Sequence, residues 1–236
     1  MVILITGASR GIGAALARSF AFAGHRVLLI SRNRRALQEV ADACNIGQTG
    51  QSAVAIPFDL TQLDEKKEEL LDLIGRNTAR IDALVNNAGQ LIRKPFMETT
   101  IGESMAIFRA NFFAPALLMG TVIPWMSSSD LKHVVNITSM GGFQGSAKFA
   151  GLSYYSASKA ALGNLTECLA EELKETGIRI NALAIGSVAT EMLAEAFPDY
   201  RAPLNPEEMA GFIRWFTLEG ARFFNGKVLP VSVTTP

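Results

Sequence analysis

The chain has 236 residues, 49% of them hydrophobic, and its 22 basic and 22 acidic side chains cancel to a formal net charge of zero. That is enough apolar material for one large α/β domain, and it excludes a disordered polymer. The balance of charge speaks against a nucleic-acid binder, which carries a basic excess or stripe; the densest basic spot, "NRRAL" at 33–37, is short.

In chain order, "VILIT" (2–6) is the first strand. No basic region or cleavage site precedes it, so no signal peptide is expected. Further strands follow at 26–31, 53–58, 83–87, 133–139, 179–185 and 227–233, most of them continuous apolar runs, as strands covered on both faces require. Helical patterns fill the gaps at 12–23, 33–43, 64–77, 103–126, 154–176 and 206–219. This alternation predicts a Rossmann-like, doubly wound α/β fold: a seven-stranded parallel sheet flanked by helices on both faces, with no linker to split residues 1–236 into two domains.

The most membrane-like stretch, 105–126, is interrupted by Arg109, Asn111 and Pro115, so a buried helix is expected there and no membrane partner. Cys44 and Cys168 read as two buried free thiols, compatible with a reducing cytoplasm. His25 and His133 have no neighbours at ligand spacing, so no metal site is expected.

"TGASRGIG" (6–13) follows the first strand and opens the first helix. Gly7, Gly11 and Gly13 allow a tight turn and a close approach to a pyrophosphate, which the helix N-terminus attracts. The spacing, G-x-x-x-G-x-G, differs from the usual G-x-G-x-x-G fingerprint. At the end of the second strand, where an NAD site places a carboxylate, stand Ser31 and then Arg32. An arginine there attracts a 2′-phosphate, with Arg10 in reach of the same group, so the cofactor read from these residues is NADP(H).

"LSYYSASKAAL" (152–162) places Tyr155 and Lys159 four apart on one helix face; Tyr154 has Ser158 in that place. A tyrosine keeps its proton to about pH 10, and a nearby ammonium pulls that value down. "VVNITSMGG" ends a strand at Ser139, and "NNAG" (86–89) ends another at the same sheet edge, where open α/β sheets bind ligands. Asn111 is a polar amide in an apolar helix, which needs partners.

With "TGASRGIG", "FDL" (58–60), "NNAG", Asn111, "NITS" and "YSASK", the chain resembles the short-chain dehydrogenase/reductase family over essentially its whole length. The resemblance implies that Tyr155 is the general acid/base, that Ser139 bonds the substrate's carbonyl oxygen, and that Lys159 holds the nicotinamide ribose and lowers the pKa of Tyr155. It implies that Asn111 positions a water for a proton relay to Lys159. Cofactor contacts are implied for Gly7, Ser9, Arg10, Gly11, Ile12, Gly13, Ser31, Arg32, Asp59, Leu60, Asn87, Ala88, Gly89, Gly186, Val188 and Thr190, besides Tyr155 and Lys159; Asp59 faces the adenine and Thr190 the carboxamide.

Three features depart from the family pattern. The segment between Ser139 and Tyr155 is three residues longer than usual, leaving Thr138 and Ser146 as alternative serine-site residues. Ile185 stands where a proline is common, and the chain ends "PVSVTTP" in place of Asp-Gly-Gly.

The resulting expectation is a cytoplasmic NADP(H)-dependent oxidoreductase acting on a small-molecule carbonyl or alcohol, such as a 3-oxoacyl thioester or a general ketone. Alternatives are a pterin-ketone reductase or a catalytically silent NADPH-binding sensor or scaffold. Segment 191–206 is expected to form a substrate lid, with Met192, Leu193, Phe197, Phe143 and Phe149 making an apolar pocket and Lys148 and Arg201 as single charged contacts. A homodimer or homotetramer is expected because Phe112, Phe113, Leu117, Leu118, Leu165, Leu169 and Leu173 exceed what one sheet face covers.

Overall fold

The computed structural model describes residues 1–47 and 50–233. Seven strands, β1 (Val2–Thr6), β2 (Arg26–Ser31), β3 (Ala53–Pro57), β4 (Ala83–Asn86), β5 (His133–Ser139), β6 (Arg179–Ile185) and β7 (Val228–Val231), form one sheet in the order β3-β2-β1-β4-β5-β6-β7. Every pairing is parallel. The apolar runs follow from the pleat. Successive side chains of β1 alternate faces, with Ile3 and Ile5 in one core and Leu4 in the other.

Helices α1 (Gly11–Phe22), α2 (Arg34–Asn45) and α8 (Pro206–Glu219) cover the first face, where Leu16, Phe20, Leu37, Ile213 and Phe216 pack on the strands. Helices α3 (Lys67–Gly75), α5 (Ala114–Val122) and α6 (Ser153–Glu172) cover the second, through Leu70, Leu118, Val122 and Leu162. Helix α4 (Ile101–Phe108) runs into α5 through a π-helical turn, Arg109–Phe113, so the long helix expected at 103–126 carries a widened turn in its middle.

The helical run Ile101–Met126 is long and apolar enough to cross a membrane by length and composition. Arg109, Asn111 and Pro115 interrupt the run without bringing it below that test. Here one face of the run is packed on the sheet, including Leu118, Met119, Val122 and Met126. Leu118 is therefore core, whereas Phe113 and Leu117 are exposed. Cys44 is buried, but Cys168 is exposed, correcting the expectation of two buried thiols.

Segment 191–206 holds a short helix, α7 (Glu191–Ala196), that sequence periodicity missed. Thr190 caps it, accepting from Leu193 N at 3.3 Å. The residues of the terminal "TTP", 234–236, lie outside the described part of the chain.

Candidate active site

The strand order reverses between β1 and β4, and a groove opens at the carboxyl ends of the strands there. Gly7, Ser9, Arg10, Gly11, Ile12, Gly13, Ser31, Arg32, Asp59, Leu60, Asn87, Ala88, Gly89, Tyr155, Lys159 and Thr190 all line it. Gly186 and Val188 do not; they line the adjoining pocket. They sit beyond Ile185, which separates the two hollows and lines both.

The turn after β1 depends on glycine. Gly7 has φ +66°, and a Cβ there would fall 2.8 Å from Ala88 Cα. A Cβ on Gly13 would fall 2.2 Å from the Gly7 carbonyl oxygen. Asn87 ties this turn to β4, its Nδ2 donating to the carbonyls of Thr6 (3.0 Å) and Gly7 (3.3 Å). No side chain caps the start of α1. Its first N–H groups and the helix dipole suit a pyrophosphate. Thr138, whose buried Oγ1 has no hydrogen-bond partner among the described residues, also lines the groove. The residues present therefore fit a dinucleotide.

At the adenosine end, Ser31 Oγ donates to Ser9 Oγ at 2.8 Å, joining β2 to the glycine turn. Arg32 lines the groove and forms no ion pair among the described residues. Arg10 is engaged differently from the sequence expectation: its Nη1 meets Glu195 of α7 at 3.3 Å, both side chains being largely exposed. Asp59 accepts from Thr61 N and Oγ1 at 3.0 and 2.8 Å, which fixes the carboxylate beside the groove.

Tyr155 lies where the groove meets the second pocket and lines both. The Ser139 side chain lies beside it in the lining of the second pocket. Ser139 Oγ accepts from Gly141 N at 3.2 Å. Of the alternatives, Thr138 lines the cofactor groove and Ser146 bonds the neighbouring Ala147 carbonyl, so Ser139 is the hydroxyl beside Tyr155. Burial pushes the Tyr155 hydroxyl above the usual tyrosine value, and the neighbouring Ser139 hydroxyl offsets part of that rise.

Lys159 is buried, its Nζ donates to the Ile137 carbonyl at 2.8 Å, and burial lowers its own pKa to about 8.

Asn111 sits in the π turn, fully buried. Its Nδ2 donates to Gln90 O (2.9 Å) and Ser158 Oγ (3.0 Å), and its Oδ1 accepts from Gln90 N at 2.7 Å. Ser158 in turn donates to the Tyr155 carbonyl at 2.7 Å. Gln90 and Ser158 thus bind Asn111 to the tyrosine's own helix turn, and sequence reasoning assigned neither that role. The available signal was Ser158 itself, a hydroxyl three residues after Tyr155 on the same helix. A Cβ on Gly89 would lie 3.2 Å from Asn111 Oδ1 and 3.3 Å from Lys159 Nζ, so this glycine keeps the space between them open.

The second pocket is lined by Ser139 and Tyr155 at one end and by Leu91, Phe149, Leu152, Leu193 and Phe197 around it. Met192 also lines it, whereas Phe143 does not. Lys148 is not free to meet a substrate. Its Nζ donates to the carbonyls of Gly141 (2.9 Å) and Phe143 (2.7 Å), stitching the longer Ser139–Tyr155 segment together. Arg201 lines a separate hollow with Arg18 and Glu207.

Residues 1–201 match the family model for short chain dehydrogenases. The fatty acyl-CoA reductase of Acinetobacter baylyi is 35% identical over 215 residues, 90% of this chain and 71% of that protein. A structure from Escherichia coli CFT073 complexed with NADPH is 29% identical with a TM-score of 0.87, covering 97% of this chain and 95% of that one. Another, from Beutenbergia cavernae with bound NADP, is 34% identical with a TM-score of 0.86, covering 98% and 94%. Sequence match and shared fold agree along the chain, which belongs to the short-chain dehydrogenase/reductase family and is an oxidoreductase that binds a nicotinamide cofactor.

Proposed function

We propose that this protein is an NADP(H)-dependent reductase of apolar carbonyl compounds, interconverting a ketone, aldehyde or 3-oxoacyl thioester with its alcohol. The observation that carries the reading is the placing of Tyr155, with Ser139 beside it, where a dinucleotide groove meets an apolar pocket. The bound cofactor supplies a hydride to the carbonyl carbon. Tyr155 donates its proton to the carbonyl oxygen, and Ser139 bonds the same oxygen and fixes its position. A tyrosine raised by burial holds that proton at neutral pH, ready to give it up as negative charge grows on the oxygen.

Lys159 holds the ribose hydroxyls and keeps a positive charge beside them below a pH of about 8. Asn111 steers proton return through the space left by Gly89. Asp59 and Leu60 flank the adenine, and Thr190 meets the carboxamide. Arg32, with Arg10, meets the 2′-phosphate. The NADPH- and NADP-bound relatives support that cofactor choice, and the apolar pocket and the acyl-CoA reductase relative support an alkyl or acyl substrate. The same lining offers little to read the polar edge of a pterin.

The protein is proposed to act as a homodimer or homotetramer. Ile101, Met105, Phe113 and Leu117 are exposed along α4, the π turn and α5, an apolar face that a second copy can cover. Sedimentation equilibrium at micromolar concentration tests this.

The enzymatic reading is tested by NADPH oxidation across a panel of carbonyl compounds, with NADPH affinity measured in parallel. Turnover of apolar ketones or acyl thioesters supports it. Tight NADPH binding without turnover of any substrate would instead identify a cofactor sensor.

A further inference from the structure

We propose that Arg93 sets substrate specificity by clasping the lid from behind and holding the far wall of the apolar pocket in place. The inference rests on the reading of that pocket as the substrate site. Arg93 belongs to the loop after β4, on the outer side of the pocket. Its Nη1 donates to the carbonyl of Ala196, the last residue of α7, at 2.9 Å. Its guanidinium carbon lies 4.4 Å from the centroid of the Phe197 ring. One planar group thus bonds the negative end of the lid helix and stacks on the ring that follows it, which an ammonium cannot do with the same geometry.

The clasp reaches a third segment. Phe197 meets Phe149 edge to face, with centroids 6.3 Å apart and planes at 69°. Both rings line the pocket. Close by, Gly151 has φ +82°, and a Cβ there would lie 3.2 Å from Arg93 Cγ. Lys94 N donates to the Gly151 carbonyl at 2.9 Å, and Lys94 Nζ reaches both carboxylate oxygens of Glu103 at 3.0 Å, which anchors the Arg93 loop to α4. The loop after β4, the extended Ser139–Tyr155 segment and the lid therefore meet at Arg93. With the wall held, the pocket favours substrates whose alkyl group ends at the Phe149–Phe197 pair. With it released, the lid end moves and longer groups are admitted.

The test compares the parent with Arg93→Ala, Arg93→Met and Arg93→Lys on linear ketones of increasing chain length, beside amide hydrogen exchange of residues 191–197. Loss of the guanidinium contacts should raise KM for short ketones about three- to tenfold, with kcat little changed, and shift the optimum to longer chains. Exchange in 191–197 should accelerate by a similar factor, and Arg93→Lys should fall between parent and alanine. Phe197→Ala, which lowers the same wall from the other side, should give the same chain-length shift. An unchanged profile with unchanged exchange in Arg93→Ala would overturn the proposal. Faster exchange in a protein whose parent reduces no carbonyl would uphold the clasp and overturn the substrate reading.

Discussion

Tyr154 and Tyr155 are adjacent in sequence and face different surroundings across α6. The ring of Tyr154 stacks on Phe96, with centroids 5.6 Å apart and planes at 19°, whereas Tyr155 lies beside Ser139 in the lining of the apolar pocket. Of these two, Tyr155 is therefore the one placed to exchange a proton with a bound carbonyl. Tyr155→Phe keeps the ring's packing and removes the hydroxyl. It should abolish nearly all turnover while NADPH affinity stays within about twofold, since each tenfold corresponds to about 1.4 kcal/mol. Tyr154→Phe keeps its stacking and should retain most activity. Steady-state rates and cofactor fluorescence titrations of both variants check this; loss of activity in Tyr154→Phe alone would reverse the assignment.

Ser139→Ala removes both a donor to the substrate oxygen and the neighbouring hydroxyl that lowers the Tyr155 pKa. Loss of one such donor lowers kcat by about 10²-fold. The pH profile should move as well. With the Ser139 hydroxyl gone, Tyr155 rises further, so alcohol oxidation, which needs the deprotonated tyrosine, should reach its plateau at a higher pH than in the parent. A parent-like profile would show that Ser139 does not act on Tyr155.

Cofactor choice follows from Ser31 and Arg32. A single charge-assisted contact contributes about 1.5–3 kcal/mol, or roughly ten- to a hundredfold in affinity. Because Arg32 is exposed, the lower end is expected. Ser31→Asp with Arg32→Ala should invert the order of NADPH and NADH by placing a carboxylate where the phosphate would sit. Arg10→Ala should have a smaller effect, since Glu195 already pairs with Arg10. Specificity constants for both cofactors decide this, and equal use of NADH by the parent would refute it.

His133 predicts the acid side of stability. It is fully buried, with Nδ1 2.9 Å from the Thr217 carbonyl and Nε2 3.0 Å from Asn181 Nδ2. Burial holds its pKa at about 4, against 6.5 in an unfolded chain. Between those values the unfolded chain binds a proton that the native state refuses, so stability falls as pH drops through this window. The contribution is about 3 kcal/mol at full extent. Urea unfolding from pH 7 to 4, with NMR titration of the imidazole, measures it; a native His133 titrating near 6.5 would contradict it.

What the sequence made legible followed physical locality. Most strands were readable because both of their faces are covered, the edge strand β7 being only half-buried, and Tyr155 was separable from Tyr154 because side chains four apart share a helix face. The π turn at Arg109–Phe113 was not readable, since "RANFF" carries no breaker and the turn is specified by Asn111 reaching Gln90 and Ser158. Helix α7 is six residues long, too short for periodicity to show. Lys148 looked like a charged substrate contact because its partners, the Gly141 and Phe143 carbonyls, are backbone atoms that residue type does not reveal. Arg93 was missed because its meaning lies in Ala196 and Phe197, about a hundred residues away.

The most direct measurement is the fate of the hydride. NADPH carrying deuterium at the transferring C4 position is incubated with the parent and an apolar ketone that it turns over, and the product alcohol is examined by mass spectrometry and NMR. The account predicts one deuterium on the carbinol carbon with a single stereochemistry there, and no such product with Tyr155→Phe. Product lacking the label, or labelled product formed equally well by Tyr155→Phe, would contradict it.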